Sequence, residues 1–210
     1  MIKTRIQFSK SGPLIYVGHL DLQRIFQQTI RRAKIPVVYS QGFNPHVLLS
    51  FALPLPLGME SVNDYADIVM KDQKDIVYAL NLNAPDGLTI KKAYQTEGHK
   101  SAALTVAASY RFKADIPLSK AKESVAALME NKTIFVSKKT KSGIKDTDIR
   151  PDILDLKAQE DGIYMQLAAG SARFLNPLTV VSCLEMDKLA SSFERLELFR
   201  KTNDESLVPL

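Results

Sequence analysis

Few side chains in this sequence can do acid–base or ligand chemistry near neutral pH: His19, His46, His99 and the single cysteine Cys183. They are scattered along the chain. One cysteine makes no internal disulfide, no multi-cysteine zinc site and no iron–sulfur cluster. Cys183 lies in the apolar run Leu178–Leu184, where a buried thiol is the simple reading. The sequence holds no phosphate-binding Gly-x-x-x-x-Gly-Lys-Ser/Thr loop, no Gly-x-Gly-x-x-Gly and no His-Glu-x-x-His. No active site, metal site or cofactor is therefore expected. The one catalytic candidate is His19, in Gly18-His19-Leu20-Asp21-Leu22-Gln23-Arg24. It opens a helix, where free N–H groups and the helix dipole favour an anion, so it could touch a phosphate or act as general acid or base in RNA cleavage. Alternatively it caps the helix, with Asp21 pairing with Arg24 one turn on.

Binding chemistry is better represented. Residues 1–50 carry Lys3, Arg5, Lys10, Arg24, Arg31, Arg32 and Lys34 against Asp21 alone, a local +6 in a chain of net +5. The other 160 residues thus sum to −1. Positive charge collected in one quarter of a chain points to an anionic partner, nucleic acid being the commonest. The plain alternative is a set of solvated faces, and Arg31 and Arg32 at a helix C-terminus also suit the dipole without any ligand. The most distinctive stretch is the loop Tyr39-Ser40-Gln41-Gly42-Phe43-Asn44-Pro45-His46. Its aromatics, amides and histidine on Gly- and Pro-shaped backbone suit stacking and edge recognition of single-stranded RNA. Equally, Phe43 could tuck into the core of a hairpin connection.

The elements that must position these groups follow from periodicity. Thr4, Ile6 and Phe8 alternate with Lys3, Arg5, Gln7 and Ser9 as a half-buried strand. From His19 to Lys34 the period turns helical, with Leu22, Ile25, Phe26, Thr29 and Ala33 as the apolar stripe and Pro36 ending it. Short strands are expected at Val37–Ser40, Val47–Leu53, Tyr65–Lys71 and Leu88–Tyr94, with a helix over Gln73–Leu82. Setting the short Val37–Ser40 strand aside, the order is β-α-β-β-α-β, a ferredoxin-like arrangement with two helices on one face of an antiparallel sheet.

Residues 97–108 lack a period and are read as a linker between a first domain, 1–96, and a second α+β domain, 109–210. The second half restarts with a strand over Tyr110–Ile116, a helix from Ser119 (as N-cap) to Glu130 and a strand at Ile134–Val136. A hairpin follows across Glu160-Asp161-Gly162, and then a helix capped by Asn176 with Pro177 at its first position. Two ferredoxin-like halves of α+β class are expected. Leu189, Phe193 and Leu196 read as a last helix in a charged C-terminal tail. Between strands of the second half, Lys132, Lys138, Lys139, Lys141 and Lys145 form a basic loop, either simply solvated or extending a phosphate-tracking surface. No run of about 18 apolar residues and no leader-like start appears, which places the chain in the cytoplasm and off the membrane.

Arg5-Ile6-Gln7-Phe8-Ser9-Lys10-Ser11-Gly12, Gly18-His19-Leu20-Asp21-Leu22-Gln23-Arg24, Arg31-Arg32-Ala33 and the loop Tyr39–His46 together resemble the radical SAM-linked proteins. The likeness continues in Leu53-Pro54-Leu55-Pro56-Leu57-Gly58-Met59-Glu60-Ser61 and, more weakly, in Gly143–Pro151. That family is a domain of unknown function found alone or fused behind a cobalamin-binding radical SAM enzyme. The resemblance implies an accessory role, presenting an RNA or protein substrate. A fainter likeness, in predicted architecture and His19 alone, is to the RNA-binding ferredoxin-like proteins of CRISPR processing. The expectation is an RNA-binding accessory module for tRNA or ribosomal RNA. In it Lys3, Arg5, Arg24, Arg31 and Arg32 meet phosphates, while Tyr39, Gln41, Phe43, Asn44 and His46 meet bases. The alternatives are a metal-independent ribonuclease using His19 and a protein partner of a radical SAM enzyme.

Overall fold

The apolar alternation at the N-terminus does form strand β1, Ile2–Lys10, with Ile6 and Phe8 fully buried. The structure, a computed structural model, describes residues 1–72, 75–140, 143–187, 189 and 191–210. After β1 comes helix α1, His19–Arg32, which buries Leu22, Phe26, Thr29 and Ile30 and leaves Ile25 and Ala33 partly covered. It stops before Pro36 because Lys34 takes a left-handed conformation, φ 52°, closing the last turn. Strands β2 (Leu49–Phe51) and β3 (Met59–Met70), helix α2 (Val77–Asn83) and strand β4 (Leu88–Gln95) complete the first unit. The helix expected from Gln73 thus starts at Val77; Gln73 and Lys74 lie outside the described residues. The strand expected at Val37–Ser40 is reduced to single bridges, Val37 to Met70 and Tyr39 to Val47, because Pro36 and the following loop leave too short a run for a ladder.

Strands β4, β1, β3 and β2 are neighbours in that order, every pair antiparallel. This is the ferredoxin-like arrangement, and Leu22, Phe26 and Ile30 of α1 share one apolar cluster with Leu80 of α2 and with Ile6, Phe8, Ile68 and Met70 of the sheet. The second unit repeats it. Strand β5 (Thr105–Ala114), helix α4 (Leu118–Glu130), strands β8 (Ile153–Gln159) and β9 (Gly162–Ala168), helix α5 (Pro177–Cys183) and strand β10 (Ser191–Lys201) give the order β10-β5-β9-β8. A separate hairpin, β6 (Phe135–Thr140) with β7 (Gly143–Asp148), is inserted between α4 and β8. Helix α4 begins at Leu118 with Pro117 at the cap position, so Ser119 is inside the helix and does not cap it. For α5 the expected cap is in place: Asn176 Oδ1 accepts the Leu178 N–H at 3.0 Å. Asn176→Ala should cost about 1 kcal/mol in urea unfolding; a change under a few tenths would assign the cap no share in holding α5.

The units share one sheet. Strand β10 runs parallel to β3, pairing Phe193, Glu194 and Arg195 with Met59, Glu60 and Ser61. Short strand β11, Leu207–Pro209, adds to β10. The region taken as a linker holds a single-turn helix α3, Ser101–Leu104, and the first residues of β5. The charged tail is not a helix. Residues Phe193, Arg195 and Leu198 are buried, and the register of β10 slips between Arg195 and Glu197. A bulge inserts one residue into a period of two, so the apolar spacing mimics a helical one.

Candidate nucleic-acid interface

Several of the basic and aromatic residues are brought to one end of the first unit. Ile2 of β1 pairs with Met70 of β3, and Val37, on the chain leaving α1, bridges the same Met70. The start of β1, the end of β3 and the C-terminus of α1 therefore meet. Arg31, Arg32 and Lys34 are exposed there. The loop that follows folds back on itself: the Ser40 N–H donates to His46 O at 2.8 Å, the His46 N–H donates to Ser40 Oγ at 3.1 Å, and Nδ1 of His46 lies 2.9 Å from the same hydroxyl. With its base closed in this way, the loop turns Phe43 wholly into solvent, and Tyr39 is 44% exposed. Gln41, Asn44 and His46 are exposed as well. Phe43 does not reach the core.

Beside the loop lies a cleft of about 270 Å³. One wall is His46 to Ser50, continuous with β2; the other is Thr96 to Lys100, with Lys3 between them and Gln23 of α1 at the side. The second wall is fastened to the sheet at several points. The Thr96 N–H donates to Lys3 O (2.9 Å), Lys3 Nζ to Gly98 O (3.0 Å) and the Ser101 N–H to Asp67 Oδ2 (2.5 Å). Asp67 is in turn paired with Arg5 at 2.9 Å, and Arg5 also donates to His99 O. Carboxylate and guanidinium neutralise each other, leaving Lys3 and Lys100 to set the charge at the cleft.

Three expected contacts are placed elsewhere. Arg5 is only 2% exposed, held by Asp67, His99 O and Leu210 O, so it meets no phosphate. The alternation of β1 marked it as solvent-facing, but that face is covered by the chain from His99 to Ser101 and by the C-terminal residue. Arg24 is exposed and paired with Asp21 at 2.7 Å, the local pairing its spacing allows. His19 packs edge-on against Phe51, ring centroids 5.4 Å apart, and does not line the cleft that contains His46. Gly18, not His19, holds the cap position. The basic loop of the second unit is the β6–β7 hairpin; Lys132 is exposed, while Lys141 and the side chains of Lys138 and Lys139 lie outside the described residues. Cys183 is partly buried, and burial pushes its thiol up, in keeping with a packing role.

Residues Gln23, Thr96, His99 and Lys100 of the cleft were not among the expected site residues. The only signal for the last two was a histidine and a lysine in an aperiodic stretch, where functional groups often sit.

A polar network crosses the seam between the units. The Gln7 amide donates to the Tyr65 hydroxyl at 3.2 Å, and that hydroxyl donates to Glu197 Oε1 at 2.7 Å. Burial pushes the Glu197 carboxyl above its ordinary value, and the hydrogen bonds from Tyr65 and Leu198 offset that only in part. A carboxyl whose folded pKa exceeds its unfolded one favours folding most while protonated. Its contribution is complete below the unfolded value, about 4.3, and is lost as pH rises through the folded value. Glu197→Gln should flatten the pH dependence of the thermal midpoint in that window relative to wild type; superimposable profiles would show that the carboxyl titrates normally.

Two split-βαβ units sharing one sheet define an α+β protein of double ferredoxin-like architecture. By sequence the chain belongs to the family described as an uncharacterized protein conserved in bacteria (DUF2344), whose model matches residues 3–177. No curated protein matches it. Among solved structures, a chain of a Cbf5–Nop10–Gar1 complex aligns with 93% of this chain at 10% identity and a TM-score of 0.39. The present chain spans 48% of that one. No helix among the described residues is long and apolar enough to cross a membrane.

Proposed function

We propose that this protein is an accessory RNA-binding module, working with a radical SAM enzyme in RNA modification or processing. RNA, of the tRNA or ribosomal class, lies across the end of the first unit where α1 finishes and the Tyr39–His46 loop projects. Lys3, Arg31 and Arg32 meet phosphates there, and Phe43 and Tyr39 stack on bases. The observation that carries the reading is Phe43, turned fully into solvent on a hydrogen-bonded loop next to exposed Arg31, Arg32 and Lys34. A ring held wholly in solvent adds nothing to the core, and beside cations it offers a stacking face for a nucleobase. The radical SAM link rests on the sequence resemblance. These 210 residues contain one cysteine and cannot ligate the three-cysteine cluster of such enzymes, so the chemistry belongs to a partner.

The test is to purify the protein from its native cells without nuclease, at low and high salt, and to sequence the nucleic acid that accompanies it. A defined RNA retained at low salt and released at high salt supports the proposal. Protein free of RNA under both conditions overturns it. That result would favour docking to a radical SAM enzyme without RNA, for which Tyr16, Leu20 and Leu57, all at least 66% exposed around the start of α1, offer an apolar surface.

A further inference from the structure

The cleft beside the loop has features that a backbone-tracking surface does not need. Its volume of about 270 Å³ lies just under the range of pockets that enclose a ligand, about 300 Å³ upward, the size class of a single small ligand such as a mononucleotide. Its walls are fixed before any ligand arrives. On one side Thr96, Gly98 and Ser101 are hydrogen-bonded to β1 and β3; on the other, Leu49 and Ser50 are paired in the sheet with Ile68 and Asp67. A preformed cavity spares a ligand the cost of ordering it. The lining divides by chemistry. Val47, Leu48 and Val69 present apolar surface, Gln23, Ser50 and Thr96 offer hydrogen-bonding groups, and Lys3 and Lys100 supply positive charge with His46 and His99 beside them. The buried carboxylate of Asp67 is already neutralised by Arg5, so it does not repel an anion.

We infer that this cleft receives a single unstacked ribonucleotide, its base against the apolar wall and its phosphate between Lys3 and Lys100. The inference rests on the reading of the chain as an RNA-binding module and gives that module a nucleotide-selecting pocket. RNA read in single strands is splayed so that a base can leave the stack. The loop carrying Phe43 and Tyr39 ends at one lip of the cleft with His46, so a strand stacked on the loop can send its next nucleotide into the pocket.

The probe is each of the four ribonucleoside 5′-monophosphates, titrated into the full chain and followed through backbone amide NMR shifts. Shifts should concentrate at His46–Ser50 and Thr96–Lys100. The matching nucleosides and inorganic phosphate should each bind at least ten-fold more weakly, since each carries half of the recognised chemistry. Lys3→Ala with Lys100→Ala, both exposed positions, should weaken the mononucleotide at least ten-fold, and Lys100→Ala alone, which keeps the Lys3–Gly98 hydrogen bond that fastens the wall, should weaken it in the same direction. Lys122→Ala, an exposed position on α4 of the second unit, should leave it unchanged. Absence of shifts in the cleft at millimolar concentrations overturns the pocket. So does inorganic phosphate matching the mononucleotide, or indifference to the lysine pair. If RNA binding persists in those cases the proposed function stands without the pocket. If mononucleotides bind the cleft while no RNA is retained, the RNA reading falls and the nucleotide site remains.

Discussion

Asp64→Ala should lower the unfolding free energy by about 3–5 kcal/mol, the range found when one partner of a buried ion pair is removed. Arg195 of β10 is wholly buried; it donates to Asp64 Oδ2 of β3 at 2.5 Å and to the carbonyls of Leu53 and Pro54 at 3.0 and 3.2 Å. Asp64 is 2% exposed. Lys10 is 1% exposed with its Nζ on Val17 O, and burial lowers its pKa while nearby Asp64 raises it. Two cations therefore share one carboxylate, and truncating Asp64 strands both in a dry site. Domains of this kind have only about 5–15 kcal/mol in hand, so the loss is a large fraction of the whole. The pair also sits where β3 and β10 join, and Arg195 fixes the chain that leaves β2, one wall of the cleft. Urea unfolding measures the effect. Pairing Asp64→Ala with Arg195→Leu should recover part of the loss, because it removes one of the two stranded charges and leaves Lys10. A single-variant cost under 1 kcal/mol would mean that water reaches the seam.

This pair explains much about what the sequence did and did not reveal. Most strands and helices of both ferredoxin-like units, β10 excepted, were legible because their apolar residues repeat at two or at about 3.6, and because glycine and proline mark the breaks. Arg195 was not, since a charged residue in Ser192-Phe193-Glu194-Arg195-Leu196-Glu197 reads as solvated surface. The bulge then disguised the strand as a helix. Arg5 and Lys10 misled in the same way. Burial of a charge depends on a partner far along the chain, 62 residues on for Arg5 and Asp67, and local periodicity carries no such information. At the candidate interface the loop Tyr39–His46 was recognisable from its composition, but the direction of Phe43 was undecided until the hydrogen bonds closing the loop were known. The cleft's second wall was hidden because residues 96–100 are held by contacts to strand backbone, and aperiodic sequence does not announce them.

The RNA reading makes its sharpest quantitative claim about salt. Arg31→Glu with Arg32→Glu should reduce RNA affinity at least ten-fold at low ionic strength and make its dependence on salt shallower. Each phosphate neutralised on a single strand contributes about −0.7 to the slope of log K against log salt, so losing two contacts removes about 1.4. The fold should survive, because both side chains are exposed and reversing charge at a helix C-terminus costs only about 0.3–1 kcal/mol each. Arg24→Glu should do less to RNA, since Arg24 is already paired with Asp21 at 2.7 Å. Phe43→Ala acts differently. Loss of one stacked base costs about 1–3 kcal/mol and carries no counterions, so it should lower affinity equally at every salt concentration and leave the slope unchanged. Binding isotherms for the three variants against one co-purified RNA separate these terms. A change of slope confined to the Arg31 and Arg32 variant, with a parallel displacement for Phe43→Ala, places phosphate and base on the surfaces named. A wild-type affinity that ignores salt would mean that few phosphates are engaged, and the RNA reading would then fail at its electrostatic core.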